Sequence, residues 1–126
     1  MKKTLIITTI NKPNNNIKKF TRLCKKYKSN FIVIGDKKTP KNFDISYGIY
    51  YNIRDQKKIK FNFSKVCPTN SYARKNIGYL LSIKNKSDFI IETDDDNIPF
   101  KNFFLDKKTK KQTTYISKNS GWVNIY

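Results

Sequence analysis

Three short apolar runs govern what this chain can fold into: TLIITTI at 4 to 10, FIVI at 31 to 34 and FIIE at 89 to 92. The first two show no sustained alternation of polar with apolar side chains, which is the pattern of a strand covered on both faces. Asn11, Lys12 and Pro13 stop the first run, and Gly35 and Asp36 close the second. The third is read as a strand over 88–93. Between the first two, Asn14 to Asn16 offer helix caps. Ile17, Phe20, Leu23, Cys24 and Tyr27 then recur at helical spacing with lysines opposite, predicting an amphipathic helix over 15–28. Pro68, Thr69, Asn70 and Ser71 form a second start signal, and Ala73, Ile77, Leu80, Leu81 and Lys84 predict a helix over 71–84. Strand and helix alternating in this way predict an α/β, Rossmann-like fold: a mostly parallel, doubly wound sheet of about four strands with flanking helices. In such folds ligands gather beyond the carboxyl ends of the strands.

The remainder is less regular. Residues 48 to 53 suggest a third strand, 54 to 66 carry no readable pattern, and Ile98 to Leu105 suggest a short helix after Pro99. A lysine-rich loop at 106 to 113 and a strand at 114 to 117 follow. The final GWVNIY reads as the beginning of an element whose continuation is missing. A length of 126 residues suits one domain, 1–126, here expected to be incomplete at its C-terminus.

The apolar run after Met1 to Lys3 is too short and too polar for a signal peptide, and no stretch approaches the ~20 apolar residues of a membrane span. Cys24 and Cys67 lack CxxC spacing and there is no histidine, so the usual zinc sites and histidine catalysis are excluded. A reduced, cytoplasmic setting is the default.

The formal charge is +18, from 27 Lys plus Arg against 9 Asp plus Glu, a balance that ordinarily points to nucleic acid or an anionic membrane surface. Only Arg22, Arg54 and Arg74 are arginine, however, the side chain best suited to gripping phosphates and reading bases. Lysine, asparagine and isoleucine share A- and T-rich codons, so genome bias explains much of the excess. The basic residues are also spread along the chain, and nucleic acid is an unlikely partner.

Against that excess, four of the nine acids fall within the five residues ETDDD at 92 to 96: Glu92, Asp94, Asp95 and Asp96. Neighbouring like charges repel unless a cation sits among them or water screens them. At a strand end such a group suits Mg²⁺ or Mn²⁺, which takes carboxylate oxygens and keeps positions for a ligand's phosphates. Alternate residues of an extended strand point the same way, so Asp94 and Asp96 are the expected metal ligands, with Asp95 directed to ribose or sugar hydroxyls. A solvated acidic turn is the plainer alternative.

A second group is PTNSYARKNIG at 68 to 78, where Arg74 and Lys75 sit in the first turn of the predicted helix, a position that ordinarily favours acids. Free amides, the helix dipole and Arg74 together suit a diphosphate; an ordinary exposed helix start in a lysine-rich chain is the alternative. The third group pairs the strand ends TTINKP and GDKKTP, where Asp36 is a candidate acceptor from a base or ribose hydroxyl. Gly-Asp is equally a common turn.

The ordered motifs TTINKP, FIVIGDKKTP, PTNSYARKNIGYL, IIETDDDNIP and GWVNIY resemble the nucleotide-sugar-dependent glycosyltransferases of the GT-A fold. The likeness is to the STELLO-like group and, more distantly, to the reversibly glycosylated polypeptides. It implies that Thr8, Thr9, Asn11 and Asp36 lie at nucleotide-binding strand ends and that Arg74 and Asn76 belong to the donor site. It also implies that Asp94, Asp95 and Asp96 form a DxD-type signature, with Mn²⁺ or Mg²⁺ on the diphosphate of a UDP-sugar. The acceptor site and any catalytic base would lie in a later half, so this chain resembles a donor half, with a second chain as a possible supplier of the rest. Two further readings are a metal-dependent nuclease or phosphotransferase and a non-catalytic nucleotide-binding module. The remaining acids, Asp36, Asp44, Asp55, Asp88 and Asp106, form no second cluster for the former.

Overall fold

A computed structural model describes residues 1–105. The order of elements is β1 (Lys3–Thr9), α1 (Asn15–Lys26), β2 (Asn30–Gly35), β3 (Ile49–Tyr51), α2 (Ile53–Lys58), α3 (Asn62–Val66), a single 3₁₀ turn (Tyr72–Arg74), α4 (Lys75–Lys84) and β4 (Phe89–Asp94). The four strands form one sheet in the order β3-β2-β1-β4, with every pairing parallel. Thr8 stands opposite Ile34 on one side and Asp94 on the other, so three carboxyl ends finish level along one edge.

The uninterrupted apolar runs follow from two covered faces. Leu5 and Ile7 of β1, with Phe31 and Val33 of β2, meet Ile17, Phe20 and Cys24 of α1, and Phe43 and Phe104 complete that layer. Ile6, Ile32 and Ile34 point the other way, onto Cys67 and onto Ile77 and Leu81 of α4. Leu5, Ile6 and Ile7 are fully buried, each stabilising the fold by roughly 1.5–3 kcal/mol relative to exposure. Gly78 permits the close approach of α4, since a Cβ there would lie 2.6 Å from Cγ2 of Ile6.

Helix α1 starts where Asn14 Oδ1 accepts the N–H of Ile17 at 2.9 Å, and the chain reverses through Lys28 at φ 50°. Its outer face gathers Lys18, Lys19, Arg22, Lys25 and Lys26, all exposed and without an acid on the helix. The expectation of evenly spread basic residues fails there, because helical spacing brings together charges that look scattered in sequence.

Other boundaries differ from the sequence reading. The third strand is only Ile49–Tyr51, because Asn52 leaves the sheet to cap α2, accepting from the N–H of Asp55 at 2.9 Å. The unread 54–66 contains α2 and α3. The expected 71–84 helix opens as the 3₁₀ turn before continuing as α4. The short helix expected at 98–105 is absent; turns carry Phe103 and Phe104 onto α1, with the rings of Phe20 and Phe103 5.3 Å apart. The expectations at 106–113, 114–117 and 121–126 lie outside the described residues. Among the described residues no helix is long and apolar enough to cross a membrane.

Candidate functional site at the strand ends

A cavity of about 370 Å³ opens at the carboxyl ends of β1, β2 and β4, within the usual size range of small-molecule sites. Thr8, Thr9, Ile10 and Asn11 line it from β1, Ile34, Gly35 and Asp36 from β2, and Asp94, Asp95 and Asp96 from β4. Asn70, Ser71, Tyr72, Arg74 and Lys38 complete the wall. The level strand ends explain why segments so far apart in sequence meet here.

The aspartates form a turn. The N–H of Asn97 donates to the carbonyl of Asp94 at 3.3 Å, and the side-chain amides of Asn14 and Asn16 donate to the carbonyls of Asp95 and Asp96 at 2.8 and 3.1 Å. Strand geometry ends at Asp94, so the two-residue alternation invoked for Asp94 and Asp96 does not extend to Asp96. Asp95 turns to β1: Oδ2 accepts from the Thr9 hydroxyl and, at 3.0 Å, from the Asn11 amide. Asp94 meets Lys75, whose Nζ lies 2.8 Å from its Oδ1 and 3.8 Å from Glu92 Oε2. The Tyr79 hydroxyl donates to that same Glu92 oxygen.

At the end of β2 the Asp36 carboxylate accepts three backbone N–H groups: Lys37 at 2.6 Å and Asn70 at 2.9 Å on Oδ1, and Ser71 at 3.2 Å on Oδ2. It thereby ties the 68–74 loop to the sheet. Thr39 joins β1 and β2, donating to the Thr9 carbonyl at 2.6 Å and accepting from the Asp36 N–H at 2.7 Å.

Arg74 is only 2% exposed. Its guanidinium makes four hydrogen bonds, two to Oε1 of Gln56 and one each to the carbonyls of Cys67 and Pro68. Gln56 is fully buried and donates to the carbonyls of Gly35 and Tyr51, both at 2.7 Å. Arg74, expected to help hold a diphosphate, lines the cavity and is also the centre of an interior hydrogen-bond network. Asn76 is exposed on α4, outside the cavity lining. Sequence reasoning missed Gln56, for which there is no signal, as well as the Lys75 pairing and Tyr72, which is 82% exposed on the wall.

Burial pushes the Cys24 thiol up to about 12, and burial likewise raises Cys67, with Arg74 acting in the opposite sense. Neither is a ready nucleophile or metal ligand at neutral pH. Among the described residues no three His, Cys, Asp or Glu side chains gather into a metal cage. The donors at the turn are hard carboxylate oxygens, and Mg²⁺-type sites commonly take one or two carboxylates with water and ligand phosphate completing the shell. A cation held at this turn would rest on one or two of these carboxylates and on oxygens of a ligand.

Fold and site together define an α/β protein with a polar cleft at the ends of parallel strands. No family model matches the chain, and no solved structure matches it. Over 64 residues it is 28% identical to the probable glycosyltransferase STELLO2 of Arabidopsis thaliana. That match covers 51% of this chain and 8% of the relative, so the chain corresponds to a small part of that protein.

Proposed function

We propose that the cleft binds a nucleoside diphosphate sugar, a uridine one by likeness to the glycosyltransferases, together with Mn²⁺ or Mg²⁺, and that the domain serves glycosyl transfer. The observation that carries this is the meeting of three parallel strand ends at one cavity, with the Asp95 carboxylate just after β4 accepting from the Thr9 hydroxyl and the Asn11 amide at the end of β1. The partial identity with a probable glycosyltransferase supports it.

Asp94 and Asp96 would hold the cation, which when bound neutralises diphosphate charge and stabilises the departing nucleotide. Asp95, oriented by Thr9 and Asn11, accepts hydrogen bonds from ribose or sugar hydroxyls. Thr8 and Lys38 offer a hydroxyl and an ammonium to the ligand from the cavity wall. Asp36 fixes the Asn70–Ser71 wall by accepting their N–H groups, and Arg74 fixes the Cys67–Pro68 segment that leads into it. Transfer also needs an acceptor held in register with the donor, since much of the rate advantage comes from that register. We assign the donor half of the reaction to the described residues, and acceptor contacts to residues outside them or to a second chain.

Calorimetry with nucleoside diphosphates, with and without Mn²⁺, tests this reading. Metal-dependent binding of UDP is expected, lost in Asp96→Asn and retained in Asp44→Asn, an exposed position away from the cavity. Undiminished binding by Asp96→Asn would refute the assignment.

A further inference from the structure

Lys75 opens α4 and reaches across to β4, where Glu92 and Asp94, two residues apart on one strand, present their carboxylates to the same side. The ammonium is 2.8 Å from Asp94 and 3.8 Å from Glu92, and the lysine side chain is only 11% exposed. The Tyr79 hydroxyl holds Glu92 in place as a second acceptor.

We propose that Lys75 is the resident counter-ion of the strand-end carboxylates and a positioning residue that yields Asp94 to a divalent cation, its ammonium passing to Glu92. This rests on the reading of Asp94 and Asp96 as cation ligands. The physical basis is competition. A divalent ion on Asp94 meets a unit positive charge already seated on that carboxylate; the Asp94 side chain is 47% exposed, so water screens part of the repulsion, but at a separation of a few ångströms it persists. The repulsion weakens cation binding until Lys75 moves, and the arriving diphosphate supplies the negative charge that offsets it. Cation and nucleotide affinities are coupled as a consequence, each raising the other by the same factor. With no cation bound, the lysine spares the carboxylates from mutual repulsion.

The test measures Mn²⁺ alone, with no nucleotide, by the electron paramagnetic resonance of the free ion at neutral pH and low salt. Lys75→Met should bind Mn²⁺ about tenfold more tightly than wild type, as expected from removing a unit charge beside a divalent ion. Lys75→Arg should stay near wild type, and Glu92→Gln, which removes the second acceptor, should bind more weakly. Should Lys75→Met fail to fold, Mg²⁺ titration of the wild-type chain followed by lysine ammonium NMR decides: the Lys75 resonance should move and that of Lys84 should not. Mn²⁺ binding that Asp96→Asn abolishes but Lys75→Met leaves unchanged or weakened would overturn the counter-ion role alone. An unmoved Lys75 resonance at saturating Mg²⁺ would do the same. No Mn²⁺ binding by wild type or variants would overturn the cation site itself and this inference with it.

Discussion

Arg74→Met is the substitution that best separates support from ligand binding at this cleft. Methionine retains much of the arginine stem but deletes four hydrogen bonds, leaving Gln56 Oε1 and the Cys67 carbonyl without a donor and the Pro68 carbonyl with only the Cys67 thiol at 3.8 Å. A buried acceptor stripped of its partner costs about 1–3 kcal/mol. Three acceptors are affected, but a chain released from its anchor relaxes and admits water. The expected net loss is therefore about 3–5 kcal/mol, the size seen when one partner of a buried charged network is removed. Set against a typical domain stability of about 5–15 kcal/mol, this leaves the fold marginal. Urea denaturation followed by circular dichroism should show a markedly lower midpoint, and thermal melting should fall by roughly 10 °C or more. Arg22→Met, on the exposed face of α1, should change stability by no more than about 0.5 kcal/mol. An Arg74→Met chain that melts with its parent would refute the interior network and restore Arg74 as a candidate ligand-binding cation.

Two further outcomes test the packing. Gly78→Ala sets a methyl 2.6 Å from Ile6 Cγ2 and should destabilise by about 1–3 kcal/mol through overpacking, measured by the same denaturation. Cys24, with its thiol pushed up to about 12, should resist Ellman's reagent at neutral pH until the chain unfolds. A thiol protonated more tightly when folded contributes stability that is fully present below the ordinary value near 9 and is lost as pH rises from there toward 12, so Cys24→Ala should flatten that alkaline decline.

The sheet was legible because its signals are hydrophobic and local. TLIITTI and FIVI name their own strands, and the spacing of Ile17, Phe20 and Cys24 names the face of α1. The 54–66 segment was opaque because α2 is anchored by Gln56, a polar residue whose burial depends on Gly35, Tyr51 and Arg74, all distant in sequence or outside the helix. The same remoteness hid the role of Arg74, since a cation at a helix start looks exposed until its acceptors are known. Asp36 and the aspartate cluster were located correctly at strand ends, but their partners could not be read. Asp36 holds a loop that begins more than thirty residues later, and the turn after Asp94 breaks the alternation that sequence alone would continue.

Paramagnetic mapping of the cation tests the central claim most directly. With UDP present and Mn²⁺ added to the isotopically labelled chain, amide signals of 94–97, 8–11 and 70–71 should broaden first. Those of the α1 outer face, including Lys25 and Lys26, should persist. Broadening centred on any other surface, or its complete absence at saturating UDP, would contradict a nucleotide-and-metal site at the ends of β1, β2 and β4.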